Sequence, residues 1–298
     1  MTRPSLSAFP KAWLDEMVLA GTMSIADWVQ MASVLPIQGL EMFAGFIDLK
    51  DPAGWAAQRR IVEDAGLVIP MLCCSPDFTH PDPAFRAQQV DLEKQWIDMA
   101  AALGSPFCRI LSGQARPGVS REDGLRYSVE CIEACLDHAA AAGVTLNIEN
   151  HYKDGYWEYP EFAMPMDIFC ELVDRVQSPV LGVNFDPSNS LIAGDDPLEV
   201  LARVKDRVVT MHASDRFLPN GTIEDLRNAE VDGALGYSKL LHHGEIGKGF
   251  NDYDAIFSVL SGVGFAGWIS IEDGVNGFDE LERSAHFLVG KIAEYWPN

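Results

Sequence analysis

Four residues able to hold a metal ion stand at the ends of strand-like apolar runs: Glu149 in VTLNIEN, Asp186 in VLGVNFD, His212 in RVVTMHA and Glu272 in GWISIED. Three carboxylates and one imidazole suit a borderline-hard divalent ion. Mn2+ is the first choice, with Mg2+, Co2+ or Zn2+ also within range of this donor set. Taken singly, each residue has an ordinary explanation. A strand-end Glu is often a surface charge, and Asp186 precedes Pro187 and so fits a helix N-cap. A lone His on an apolar strand is usually a satisfied core residue, and Asp273 competes with Glu272 for its role. Recurrence argues against four accidents. The intervals of 37, 26 and 60 residues match one, one and two strand–helix units. Acid and imidazole groups gathered at the C-terminal strand ends of an α/β barrel are where its chemistry sits. In VTLNIENH the two-residue alternation puts Leu146 and Ile148 on one face and Asn147 and Glu149 on the other. An inward-pointing acid there needs a partner.

Further polar residues cluster near these four in sequence. His151 follows Glu149 by two and is a candidate for a substrate hydroxyl. Arg109 lies inside the run PFCRILS, where a buried guanidinium calls for Glu149 or a substrate as partner. Arg216, four past His212, is a candidate for a substrate oxygen or carboxylate. His243 precedes GEIGKG and is placed toward the site, with His242 outward. Trp157 and Phe78 are candidates for an apolar wall of the site. GEIGKG lacks the phosphate-loop spacing, and no G-x-G-x-x-G follows a strand, so no nucleotide cofactor is expected.

The elements that must position these residues alternate. Apolar runs at IQGLEMF, LVIPMLCC, PFCRILSG, VTLNIEN, PVLGVNFD, RVVTMHA and GWISIED read as seven strands, and a weaker first strand falls within 5–20. Between them lie helical patterns: SIADWVQMASVL opened by a capping Ser, PAGWAAQRRIVEDAG ending in Gly66, PAFRAQQVDLEKQWIDMAAALG, SREDGLRYSVECIEACLDHAAAAG, and shorter ones near 166–176, 197–204, 252–262 and 279–295. Ser at the start and Gly at the end are the expected cap residues. Such alternation implies parallel strands with right-handed crossovers. Eight strands would close a (β/α)8 TIM barrel, with residues 1–298 as one domain. The long loops 75–83, 151–165 and 213–249 all come after strands and so fall on the same face. The third is long enough for a lid or binding loop.

Composition narrows the partners. The chain has 298 residues, a net charge of −22 and 48% hydrophobic residues, with mean hydropathy near zero. That acidity repels phosphate backbones and anionic membranes, so neither nucleic acid nor membrane is expected. No apolar run approaches the ~18 residues of a membrane span, and no signal-peptide core opens the chain. The six cysteines, Cys73, Cys74, Cys108, Cys131, Cys135 and Cys170, form no CxxC pair. They read as buried thiols in a reducing compartment, and a cytoplasmic location is expected.

These residues resemble the xylose isomerase-like barrel superfamily, in the branch called sugar phosphate isomerases/epimerases. The likeness runs from IQGLEMF through LGSPFCRILSGQ, LNIENH, GVNFDPSN and VVTMHASDR to GEIGKGFNDYDAIFSVLSGVGFAGWISIEDG. It implies a TIM barrel and a metal held by Glu149, Asp186, His212 and Glu272, with Glu149 and Glu272 as the proton-transfer pair. It implies isomerisation or epimerisation of a small sugar through an enediolate next to a metal-chelated carbonyl, and often a homo-oligomer. Two departures matter. Asn189 stands where a D-x-x-H motif has His, and Leu241 stands where a D-x-H pair before His243 would have Asp. The missing ligands argue against the abasic-site nucleases of the superfamily. Asn189, itself a candidate substrate contact, also puts a simple ketose 3-epimerase in doubt. The alternative is a lyase or hydratase on keto-sugars or keto-inositols, resembling inosose dehydratases. A third class, a non-catalytic sugar-binding barrel, rests on the reuse of folds. No Lys/Arg cluster marks a phosphate site.

Overall fold

The computed structural model describes residues 2–297. Its strands are β1 (Ser5–Ala8), β2 (Gly39–Leu40), β3 (Met42–Phe43), β4 (Met71–Cys73), β5 (Phe107–Ile110), β6 (Thr145–Glu149), β7 (Leu181–Phe185), β8 (Val208–Ala213), β9 (Arg216–Phe217), β10 (His242–His243) and β11 (Trp268–Ile271). Nine of them form one parallel sheet in the order β2-β1-β11-β8-β7-β6-β5-β4-β3. The two ends of that order, β2 and β3, are separated only by Glu41. The ladder therefore returns on itself and makes a nearly closed barrel with eight positions around it. IQGLEMF is thus one strand broken at Glu41, whose backbone N–H donates to Ala8 O at 3.0 Å. The weak first strand lies at the start of its expected window.

The helices are α1 (Ile25–Ala32), α2 (Pro52–Asp64), α3 (Pro83–Ala102), α4 (Arg121–Ala142), α5 (Met166–Arg175), α6 (Pro187–Ala193), α7 (Pro197–Val204), α8 (Ile223–Arg227), α9 (Tyr253–Gly262) and α10 (Phe278–Tyr295). Local chemistry explains their starts. Ser24 and Ser120 cap α1 and α4, and α2, α3, α6 and α7 each open with an Asp cap and then Pro at the first helical position. The Asp carboxylate takes otherwise unpaired N–H groups, and Pro has no N–H to satisfy there. Gly143 ends α4 in the left-handed conformation.

Alternation decides what each strand residue meets. On β6, Leu146 and Ile148 are fully buried in the apolar layer between barrel and helices, each worth roughly 1.5–3 kcal/mol of burial. Asn147 points inward. Its Nδ2 donates to Thr210 Oγ1 at 2.5 Å, and Thr210 in turn donates to Asn184 Oδ1 at 2.8 Å. A polar layer therefore lies beneath Glu149. All six cysteines are free and buried.

The segment 213–249 is not a bare loop. Arg216 and Phe217 pair antiparallel with His243 and His242. The segment also carries α8, and Leu226, Tyr237 and Leu241 pack with Leu191 and Ile192 of α6 in a small separate core. Asp215 pins its return by accepting from the N–H groups of Gly247, Gly249 and Asn251 at 2.9, 2.9 and 3.1 Å. A Cβ on Gly249 would stand 2.2 Å from Asp215 Oδ1 and 2.4 Å from Arg216 O, so only glycine lets the chain pass there. No helix among the described residues is long and apolar enough to cross a membrane.

Candidate active site at the strand ends

Glu149 ends β6, Asp186 comes directly after β7, His212 lies on β8 and Glu272 comes directly after β11. Each offers one donor atom, and these atoms all lie within 4.8 Å of one another. His212 Nδ1 stands 3.0 Å from Glu149 Oε1 and 3.4 Å from Glu272 Oε2. Asp186 is a helix cap as well as a member of this cluster. Its Oδ1 caps α6 by accepting from Ser188 and Asn189 N–H at 2.7 and 3.2 Å, and it also accepts from Ser214 Oγ at 2.7 Å. Among the described residues no hydrogen bond reaches its Oδ2.

Cations surround this cluster. Arg109 Nε lies 3.0 Å from Glu149 Oε2. That contact is an ion pair by distance without hydrogen-bond alignment, and both atoms are buried with no hydrogen-bond partner. Arg109 Nη1 donates to Cys74 O at 2.9 Å, which fixes the guanidinium. Lys11 Nζ sits 2.9 Å from Glu272 Oε1, and Asn189 Nδ2 donates to Glu149 Oε1 at 3.2 Å. Burial opposes charge on both glutamates. His212 and Arg109 together outweigh it at Glu149 and hold that carboxyl below its ordinary value, while Lys11 and His212 hold Glu272 well below. Asp186 differs: burial first, then the charges of Glu149 and Glu272, push it up to about 7.

His212 is fully buried among acids. Its Nε2 faces both oxygens of Glu41 at 3.1 and 3.2 Å. Burial disfavours the imidazolium, but Glu41, Glu149 and Glu272 overcome this and raise its pKa well above the ordinary histidine value. In the ion-free cluster a proton on Nδ1 thus supplies positive charge between two carboxylates. A divalent cation would take that place, because metal ligation requires the neutral ring. The donor set and a ring whose far nitrogen is held by a carboxylate both fit such an ion.

Through Glu272 the cluster borders a cavity of about 350 Å3. All five expected substrate contacts line it: Arg109, His151, Asn189, Arg216 and His243. Its apolar wall comes from Phe9, Phe43 and Tyr156. It does not come from Phe78, which is fully buried in the core, or from Trp157, which lines a neighbouring depression. Position along the loop gave no hint of which way those two rings turn. Asp273 does not replace Glu272: its Oδ1 holds His243 Nδ1 at 2.9 Å and its Oδ2 accepts the Asp215 N–H at 2.5 Å. His242 is exposed, as its alternation with His243 requires. Lys11 and Glu41 are the members that sequence reasoning missed. A larger cavity, about 410 Å3, lies between α6, α7 and α8. It touches none of the four clustered residues, so size alone does not mark the chemistry.

Comparison with known proteins agrees with this architecture. A curated relative, 3-oxo-isoapionate decarboxylase of Pectobacterium atrosepticum, is 27% identical over 177 residues, a match that covers 59% of this chain and 54% of that protein. The chain thus spans about half the length of the curated relative it matches. Among solved structures, a xylose isomerase domain protein from Planctomyces limnophilus superposes with TM-score 0.72 at 19% identity over 99% of this chain and 98% of that one. A D-tagatose 3-epimerase-like protein gives 0.74 at 14% identity over 98% of both. A probable 3-DHS dehydratase from Bacillus anthracis gives 0.70 at 16%, over 96% of this chain and 98% of that one. At such identities the likeness is one of fold. The family model described as "Xylose isomerase-like TIM barrel" matches residues 29–289, and on that match the chain belongs to the xylose isomerase-like TIM barrel family.

Proposed function

We propose that the protein is a divalent-metal-dependent isomerase or epimerase of a small keto sugar, working by proton transfer next to the substrate carbonyl through an enediolate. The convergence of Glu149, Asp186, His212 and Glu272 beside a cavity that Glu272 lines carries this reading. These four residues would hold the ion, Mn2+ before Mg2+, Co2+ or Zn2+. When bound, such an ion supplies Lewis acidity that makes the proton beside a carbonyl removable near neutral pH. The chain's own residues do the rest. Glu149 and Glu272 are kept ionised by Arg109 and Lys11, so each is competent as a base, and positioned proton transfer contributes about 10²–10⁴-fold. Asn189, His151 and His243 offer hydrogen bonds to substrate hydroxyls. Phe9, Phe43 and Tyr156 give the cavity an apolar wall for the carbon face of the substrate.

A second reading, a carbon–oxygen or carbon–carbon lyase on a keto sugar, shares the first step. The curated relative is a decarboxylase and one structural neighbour a probable dehydratase, which keeps this reading in place. Proton NMR in D2O with Mn2+-loaded protein and a panel of ketoses and keto-inositols separates the two. Deuterium at the epimerised or isomerised carbon, without loss of water or CO2, supports the first. Release of either molecule supports the second. Turnover unaffected by a chelator would sink both.

A further inference from the structure

We infer that the substrate carries a carboxylate, and that this carboxylate seats on Arg216. The inference rests on the reading of the cavity as the substrate site. Arg216 is only 7% exposed and lines the cavity together with Glu272. Among the described residues no carboxylate lies within ion-pair distance of its guanidinium and no acceptor takes a hydrogen bond from it, and Nε is buried without a partner. The acids around it are engaged elsewhere. Asp215 accepts from the backbone N–H groups of Arg216, Gly247, Gly249 and Asn251. Asp273 holds His243 and the Asp215 N–H, and Glu272 holds Lys11.

A buried guanidinium with no counter-charge is costly to a fold. Here the backbone is built to keep it. Arg216 sits in the β9–β10 ladder directly opposite His243, and the bare Cα of Gly249 passes over its carbonyl. An anion arriving from solution would remove the penalty. The planar fork of arginine matches the two oxygens of a carboxylate. A phosphoryl group, with more charge, ordinarily recruits several cations; Arg109 and Lys11 are already paired with Glu149 and Glu272, which leaves the half-buried Lys153 as the one other Lys or Arg lining this cavity. The substrate class is therefore a keto sugar acid, a keto-aldonate, with its ketone and hydroxyl oxygens toward the four clustered residues and its carboxylate toward Arg216.

Calorimetric binding to the full chain loaded with Mn2+ tests this. The probes are keto-aldonates of five and six carbons, the neutral ketoses of equal length, and their phosphate esters. The acids are expected to bind about 10- to 100-fold more tightly than the neutral sugars, the range of a charge-assisted pair. Arg216→Gln is expected to erase that difference by weakening the acids far more than the ketoses, and Arg216→Lys to retain part of it. Without ligand, Arg216→Gln should melt at or above the wild-type temperature, because an unpaired buried charge has gone. Four results overturn the inference: ketoses equalling the acids, phosphate esters outranking both, a preference that survives Arg216→Gln, or a lowered melting temperature in that variant. A preference for acids that depends on Arg216, with neither deuterium exchange nor product release, would uphold the inference and overturn the proposed reaction instead.

Discussion

Glu149 and Glu93 are buried to the same degree, 1% and 0% exposed, and the fold uses them in opposite charge states. Glu149 stands at the open end of the barrel with Arg109, His212 and Asn189 around it, and its carboxyl is held below the ordinary value. Glu93 projects from α3 onto the outside of the barrel. There, among the described residues, its only hydrogen-bond partner is the Cys108 thiol at 3.3 Å, and its Oε2 has none. Burial pushes its pKa up to about 8, so at neutral pH it is mostly protonated. The nearby thiols are neutral for the same reason, Cys74 being raised to about 11. Desolvation acts on both glutamates. What differs is whether the chain places cations beside the carboxylate. In this molecule it does so for Glu149 and Glu272 and not for Glu93.

The largest consequence concerns Arg109. Replacing it with Met should leave the Glu149 carboxylate buried with its arginine partner gone, a loss of about 3–5 kcal/mol in urea unfolding of the metal-free protein. A loss below ~1 kcal/mol would mean that His212 alone supports Glu149. Glu93 should behave in the reverse sense. Its folded pKa is raised, so the folded state holds a proton that the unfolded chain releases above its own pKa near 4.5. Stability from this group therefore falls as pH rises and levels off above about 8, costing the wild type on the order of 3 kcal/mol between about pH 5.5 and 8. Glu93→Gln should flatten that slope and melt higher than wild type at the alkaline end. An unchanged slope would place the charged form of Glu93 in the native state.

Much of the frame was legible because local strand and helix signals agree with the capping and turn residues beside them. Each later strand is an apolar run ending in a polar group, and the Asp–Pro and Ser caps mark helix starts. The features that escaped were set by tertiary context. Nothing local says that IQGLEMF breaks at Glu41, because the break exists to close the barrel against both β1 and β4. The elements inside 213–249 are short and stabilised by packing on α6. At the site, the four strand-end residues and five further polar residues were readable from position. Lys11 was not, since it depends on locating the weak first strand, after which a short turn carries it to Glu272. Phe78 and Trp157 were misplaced because a loop position does not fix the direction of a ring.

Glu41 extends the comparison to a third buried glutamate, one whose partner is the imidazole itself. With both its oxygens near His212 Nε2, and the Cys73 thiol donating to Oε1 at 3.0 Å, it selects the tautomer that leaves Nδ1 facing Glu149 and Glu272. A ligating histidine held in this way usually loses 10- to 100-fold in metal affinity when the outer carboxylate is removed. Glu41→Gln should weaken Mn2+ binding by about that factor in a calorimetric titration. Affinity equal to wild type would show that His212 needs no such orientation.

Lys11 gives the smallest effect and the most telling sign. Its ammonium neutralises Glu272 from the cavity side and is a quarter exposed, so solvent screens the pair and its contribution is about 1 kcal/mol or less. Lys11 competes with a divalent cation for the same carboxylate. Lys11→Met removes that competitor and one local positive charge. Mn2+ should then bind the variant about 2- to 5-fold more tightly than wild type, with the difference shrinking as salt is added. Weaker binding would instead mean that Lys11 positions the Glu272 carboxylate toward the cluster, and the cations around these strand ends would then be part of how the acids are aimed as well as how they are kept charged.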